Sequence, residues 1–361
     1  MPSTLRFLRQ YLRPAGQAVR EEDVSLDRGD RRMEATVYRP RGGPRPGWVV
    51  LHGLTARGRD HPNLIRFARA LAASGTVVFI PDIPEWRRLE VAPQVTVETI
   101  RAAVLALDAL PGIVPGRTGV LGFSFGATQA LIASVDPQLE GHLRGVAAWG
   151  GYCDVRALFR FGILGEHEWN GRPYHVDPDP YGRWVMGGNY LTGVPGHEGD
   201  ADAARALHAL AIEAGESGFP SWDARFDAAK DRLRAGLSAG QRAVFDLFAA
   251  RTDAPPPVRA RVVNLADALA TAALKADPGL DPTPYLPNVH VRTLLAHGYD
   301  DRLVPFTSMF CLREQIPDRA IVRASITSLF SHSGGAAVTG PRIVTEGARF
   351  LRLLNGILKL I

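Results

Sequence analysis

Gly122-Phe123-Ser124-Phe125-Gly126 is a G-x-S-x-G pentapeptide, set between the apolar run Val120-Leu121 and an Ala/Leu-rich stretch with helical character. In a strand–turn–helix context this spacing presents a nucleophilic serine. Glycines at both ends remove Cβ atoms where strand and helix would collide, so the turn can hold Ser124 in a strained conformation at its tip. The helix behind contributes backbone N–H groups and the positive end of its dipole. A serine hydroxyl is a poor nucleophile at neutral pH. It needs an imidazole to take its proton, a carboxylate to orient that imidazole, and donors for the oxyanion that forms.

Candidates for each role stand at the ends of apolar segments. Trp48-Val49-Val50-Leu51 reads as a fully buried strand and ends in His52-Gly53-Leu54. Glycine there lets the backbone approach a ligand, so the Leu54 amide can face a developing oxyanion. The amide of Phe125, directly after the nucleophile, is the second donor. Late in the chain, Val289–Ala296 runs into His297-Gly298-Tyr299-Asp300-Asp301, and the strand predicted over 320–329 runs into Phe330-Ser331-His332. These supply an acid and then a histidine.

Between these points the periodicity alternates. A helix is expected over 61–74, a strand over 76–80, a loop over 83–94, a helix over 95–110 and a strand over 143–149. Two β-like segments, 22–28 and 33–39, precede them, a helix over 306–315 follows the acid, and an amphipathic helix over 341–360 closes the chain. Such alternation predicts an α/β fold with a mostly parallel central sheet flanked by helices. Its active site belongs at the carboxyl ends of the strands, where Gly53, Asp82 and Ser124 fall.

The alternation stops after Gly150-Gly151. Residues 152–286 form an insertion, first rich in aromatic residues, Gly and Pro, then reading as short helices. The expected organisation is an N-terminal amphipathic segment (1–20), a catalytic domain in two parts (21–151 and 287–361) and a mainly helical lid or cap (152–286). A cap over the strand ends would exclude water and shape the pocket. His52, Trp169, Tyr174 and Trp184 are the candidates for substrate contact. His167, His175 and His197 are expected to be structural or exposed.

Composition narrows the partners. Basic residues are scattered despite a net charge of +5 and a pI near 9.5. With no like-charged run, zinc spacing or aromatic RNA-binding signature, nucleic acid is not expected. No phosphate-binding loop, dinucleotide G-x-G-x-x-G or metal-binding helix pair appears, so neither cofactor nor metal is expected. Cys153 and Cys311 fit no metal or redox spacing and read as reduced, buried thiols. Arg6 and Arg9 interrupt the apolar run 5–12, which predicts no secretory leader. No stretch reaches the ~20 apolar residues of a membrane span, and a cytoplasmic protein is expected. Leu5, Leu8 and Leu12 share a face of a predicted basic helix, which raises peripheral contact with an anionic lipid surface, or docking on the domain itself.

His52-Gly53, the Gly122–Gly126 elbow, His297-Gly-x-x-Asp301-x-x-Val304-Pro305 and the His332 loop together resemble the α/β-hydrolase superfamily, near its carboxylesterase, lipase and dienelactone-hydrolase-like branches. The order Ser124, Asp301, His332 is the order of that architecture. The resemblance covers both parts of the catalytic domain and implies a Ser124–His332–Asp301 triad. It places the acid four residues after His297, at Asp301, with Asp300 in reserve, and leaves His297 a structural role. It implies ester hydrolysis through an acyl-enzyme. Acyltransferase, thioesterase or peptidase chemistry would use the same residues, and a non-catalytic binding protein would keep only the fold. The insertion matches no branch, so the resemblance carries no substrate.

Overall fold

The computed structural model describes residues 2–13, 19–255, 259–329 and 342–361. The chain opens with helix α1 (Pro2–Leu12) and strands β1 (Val19–Asp27), β2 (Arg32–Pro40) and β3 (Arg45–Leu51). Then come α2 (Pro62–Ala73), β4 (Val77–Pro81), the single turn α3 (Pro84–Arg87), α4 (Pro93–Asp108), β5 (Ile113–Phe123), α5 (Phe125–Ala133) and β6 (Leu143–Trp149). The insertion contributes α6 (Val155–Leu164), a hairpin of β7 (Glu166–Trp169) and β8 (Arg172–His175), then α7 (Pro180–Tyr190), α8 (Ala201–Ser217), α9 (Asp227–Ala235), α10 (Ala239–Ala249) and α11 (Arg259–Ala276). The chain closes with β9 (Arg292–Gly298), α12 (Thr307–Gln315), β10 (Ile321–Thr327) and α13 (Arg342–Leu358).

Among the described residues, eight strands form one sheet in the order β1-β2-β4-β3-β5-β6-β9-β10. The first hairpin is antiparallel, β2 joins β4 antiparallel, and every later pair is parallel. The inner strands are apolar on both faces because helices cover both. Along β3, Trp48 and Val50 face α2 and α13, whereas Val49 and Leu51 face α4 and α5. On the latter side the core continues without a break into the insertion, through Trp184, Leu207, Phe245 and Leu269.

Two expectations are corrected. Cys153 and Cys311 are joined in a disulfide, not reduced. Their separation of 158 residues hid the pairing, but β6 and β9 are neighbours, so the segments that follow them meet. The second correction concerns only the face of α1: the helix docks on its own domain, one of the two expectations, but through Phe7, 1% exposed, with Thr4 and Gln10 buried beside it. Leu5 and Leu12 are 65% and 66% exposed. The aromatic Phe7 buries more area than a leucine and meets Phe67 edge-on at 5.4 Å, which sets the helix rotation. No helix among the described residues is long and apolar enough to cross a membrane.

Candidate active site

β5 ends at Phe123 and α5 begins at Phe125, so one residue makes the turn. Ser124 has φ 55° and ψ −126°, a left-handed backbone that a residue with a side chain adopts only under constraint. Neighbouring atoms impose it. The Ser124 N–H donates to Trp149 O at 2.8 Å, tying the turn to β6. Ala127 N donates to Ser124 O at 2.9 Å and starts the helix. A Cβ on Gly122 would lie 2.1 Å from Gly126 O, and one on Gly126 would lie 2.6 Å from His52 O. Strand, elbow and the β3 loop are therefore in backbone contact.

Gly53 stands beside the serine: a Cβ there would lie 3.2 Å from Ser124 Cβ and 3.6 Å from Oγ. His52 Nδ1 donates to Gly53 O at 2.6 Å, within the peptide unit that carries the Leu54 N–H. Since a carbonyl can only accept, the proton sits on Nδ1, and Nε2 is buried without a hydrogen-bond partner among the described residues. Burial pushes the His52 pKa down to about 4, so the ring is neutral near pH 7. Neither the Leu54 nor the Phe125 amide donates a hydrogen bond among the described residues.

After β9 the chain places Asp300 outside and Asp301 inside, 1% exposed. Asp301 Oδ1 accepts from Leu303 N at 2.9 Å and Val304 N at 3.0 Å, and Oδ2 is 3.7 Å from His297 Nε2. His297, itself buried, donates from Nε2 to Val304 O at 3.0 Å, which closes the loop around the carboxylate. His332 lies outside the described residues.

The insertion rests on these same loops. Tyr181, in the first turn of α7, donates its hydroxyl to Leu54 O at 3.0 Å. Asp179 N donates to Arg302 O at 2.8 Å, and Arg302 Nε to Asp177 O at 2.7 Å. Asn189 reaches Leu89 O at 2.9 Å, past the end of β4. The start of α7 thus bridges the loop of the candidate oxyanion donor and the loop of the candidate acid. No sequence signal pointed to Tyr181; only the fold brings residues 54 and 181 together.

The four proposed substrate contacts take up packing positions. Trp184 is 0% exposed in the interior of the insertion, with Nε1 donating to Phe248 O at 3.0 Å, which corrects the expectation that it faces substrate. Trp169 packs on Phe310 at 5.5 Å, and Tyr174 on Phe306 at 5.1 Å, so they join the hairpin to α12 and to the residue just before it. His52 is buried under the loop rather than lining it. Among the described residues no cluster suited to a metal ion occurs.

No protein-family model and no curated protein matches the sequence. Among solved structures, the uncomplexed acylaminoacyl peptidase of Pyrococcus horikoshii matches with a TM-score of 0.53 and 13% identity, over 95% of this chain and 42% of that one. A puromycin hydrolase matches with 0.50 and 15%, over 96% of this chain and 40% of that one. The chain spans less than half the length of these structures. Such low identity speaks for fold alone. Taken with the strand order and the elbow after β5, these likenesses establish that the chain has the α/β-hydrolase fold.

Proposed function

We propose that the chain hydrolyses a carboxylic ester through an acyl-enzyme on Ser124. The observation that carries the reading is the strained backbone of Ser124 between β5 and α5, with Gly53 packed beside its side chain. In this reading His332 takes the hydroxyl proton as Ser124 Oγ attacks the ester carbonyl. The Leu54 and Phe125 amides receive the oxyanion, and the protonated imidazole returns its proton to the leaving alcohol. Water, deprotonated by His332, then attacks the acyl carbon and releases the acid. The buried Asp301 is the group that orients His332. The two amides engage only its first oxygen. The insertion serves as the lid, and its hold on the Leu54 loop supports that role.

A series of p-nitrophenyl esters from acetate to laurate tests the reading. Wild type should turn over at least one member, and Ser124→Ala should lose several orders of magnitude in kcat, roughly 10⁶ where a full triad operates. Equal turnover by both would exclude Ser124 as nucleophile. A second reading, amide or peptide hydrolysis by the same residues, draws on the names of the acylaminoacyl peptidase and puromycin hydrolase matches. The matching p-nitroanilides decide between the two. Leu5 and Leu12, exposed on a helix that also carries Arg6 and Arg9, support a peripheral lipid contact. Flotation with anionic liposomes should weaken on removal of residues 1–13, and unchanged flotation would end that proposal for α1.

A further inference from the structure

β10 is the edge of the sheet and pairs only with β9 among the described residues. Thr327 O accepts from Tyr299 N across that ladder at 3.1 Å. By the alternation of a parallel ladder, Ala324 and Ile326 turn their N–H and C=O groups away from β9. A register shift between Ile321 and Arg323 leaves Val322 out of the pairing and 45% exposed. Open edges of this kind are templates for another extended chain.

Here the edge forms the floor of a groove of about 420 Å³ with two unlike walls. Met309 and Phe310 of α12 make one wall, on the face where Ile326 packs. Arg349 and Arg352 of α13 make the other, on the opposite face of the sheet. Arg323 reaches that second face, near Gly356. Of the three arginines, Arg349 pairs with Glu346, Arg352 donates to the Ala348 carbonyl of its own helix, and Arg323 forms no ion pair among the described residues. The groove therefore offers backbone donors and acceptors along its floor, an apolar shelf on one side and two uncompensated guanidinium groups on the other.

We propose that this groove docks an extended acidic segment of a partner protein, which adds to the sheet beside β10. Side chains of a strand alternate between faces, so the fitting segment carries acidic residues toward α13 and apolar residues toward α12 in strict alternation. A second copy fits poorly. Antiparallel pairing of two β10 strands about a two-fold axis normal to the sheet brings the α13 faces together, setting arginines against arginines.

The test is fluorescence anisotropy with the full chain and a labelled peptide of alternating Glu and Val, about as long as β10. Saturable binding is expected. It should fall by about tenfold or more in Arg323→Glu/Arg352→Glu and in Ala324→Pro, which removes an outward N–H. A Lys-Val peptide should not bind. Melting temperatures near wild type show that the variants remain folded, and a Glu-Val peptide N-methylated at alternate positions probes the ladder without altering the protein. No saturable binding of the Glu-Val peptide, or binding indifferent to charge reversal and to N-methylation, overturns the proposal. So does a wild-type dimer in sedimentation that Ala324→Pro dissolves, because it gives the edge to a second copy.

Discussion

Three glycines around Ser124 are required for separate reasons. Gly122 and Gly126 stand where backbone meets backbone, and no side-chain adjustment makes room for a methyl group. Gly53 borders the serine side chain itself, so a methyl there would crowd Ser124 Oγ. His52 acts on the next peptide unit through Gly53 O. Its folded pKa of about 4 lies below the ordinary 6.5 because burial penalises the charged ring. Between those values the unfolded chain binds more protons than the folded one. The stability held by the neutral ring is thus full above about pH 6.5 and falls as pH drops toward 4. His167, lowered to about 4 by burial, adds to the same acid slope. Asn at position 52 places an amide nitrogen near the Nδ1 position without a titrating ring. His52→Asn should keep most ester turnover and lose less urea stability between pH 7 and 4.5 than wild type. An unchanged slope would show that His52 does not titrate on unfolding in that window.

At the level of elements, the start of α7 is the unexpected part. Tyr181 and Gly182 touch the loops after β3 and β9, with a Cβ on Gly182 lying 3.3 Å from Leu303 Cδ2. Tyr181→Phe keeps the ring and removes one hydrogen bond to Leu54 O, a change worth about 1 kcal/mol of stability. The expected outcome is a nearly unchanged melting temperature with kcat lowered severalfold on p-nitrophenyl esters, since a looser Leu54 loop aims its amide less well. Unaltered kcat and KM would mean that α7 packs on the loop without tuning it. Sequence periodicity anticipated the helices and strands that carry the site, because buried strands and amphipathic helices have distinct apolar spacings. It misjudged rotation where two apolar stripes compete, as in α1: Leu5 and Leu12 point outward because Phe7 finds Phe67.

Across the whole molecule, the Cys153–Cys311 disulfide closes a loop that contains the entire insertion and β9. Closing so long a loop constrains the unfolded chain by about 5 kcal/mol in the chain-entropy account. Reduction, or Cys153→Ser with Cys311→Ser, should therefore lower the melting temperature markedly, with a stability loss of about 2–5 kcal/mol measured by urea unfolding. Identical melts with and without reductant would show that the link contributes nothing to stability.

The sequence alone determined the alternation of strands and helices, the elbow at Ser124, the Gly53-Leu54 turn after β3 and the place of the acidic pair. All of these are local, since a motif states its chemistry within a few residues and a strand or helix within one period. Tertiary structure decided what depends on neighbours far apart in the chain. It put Asp301 inside and Asp300 outside, paired the cysteines, sank Trp184 into the insertion and brought Tyr181 to Leu54. Among the described residues it also left β10 as the edge of the sheet between two unlike helices, because sheet order is set by packing of distant segments and is not written in the spacing of any one of them.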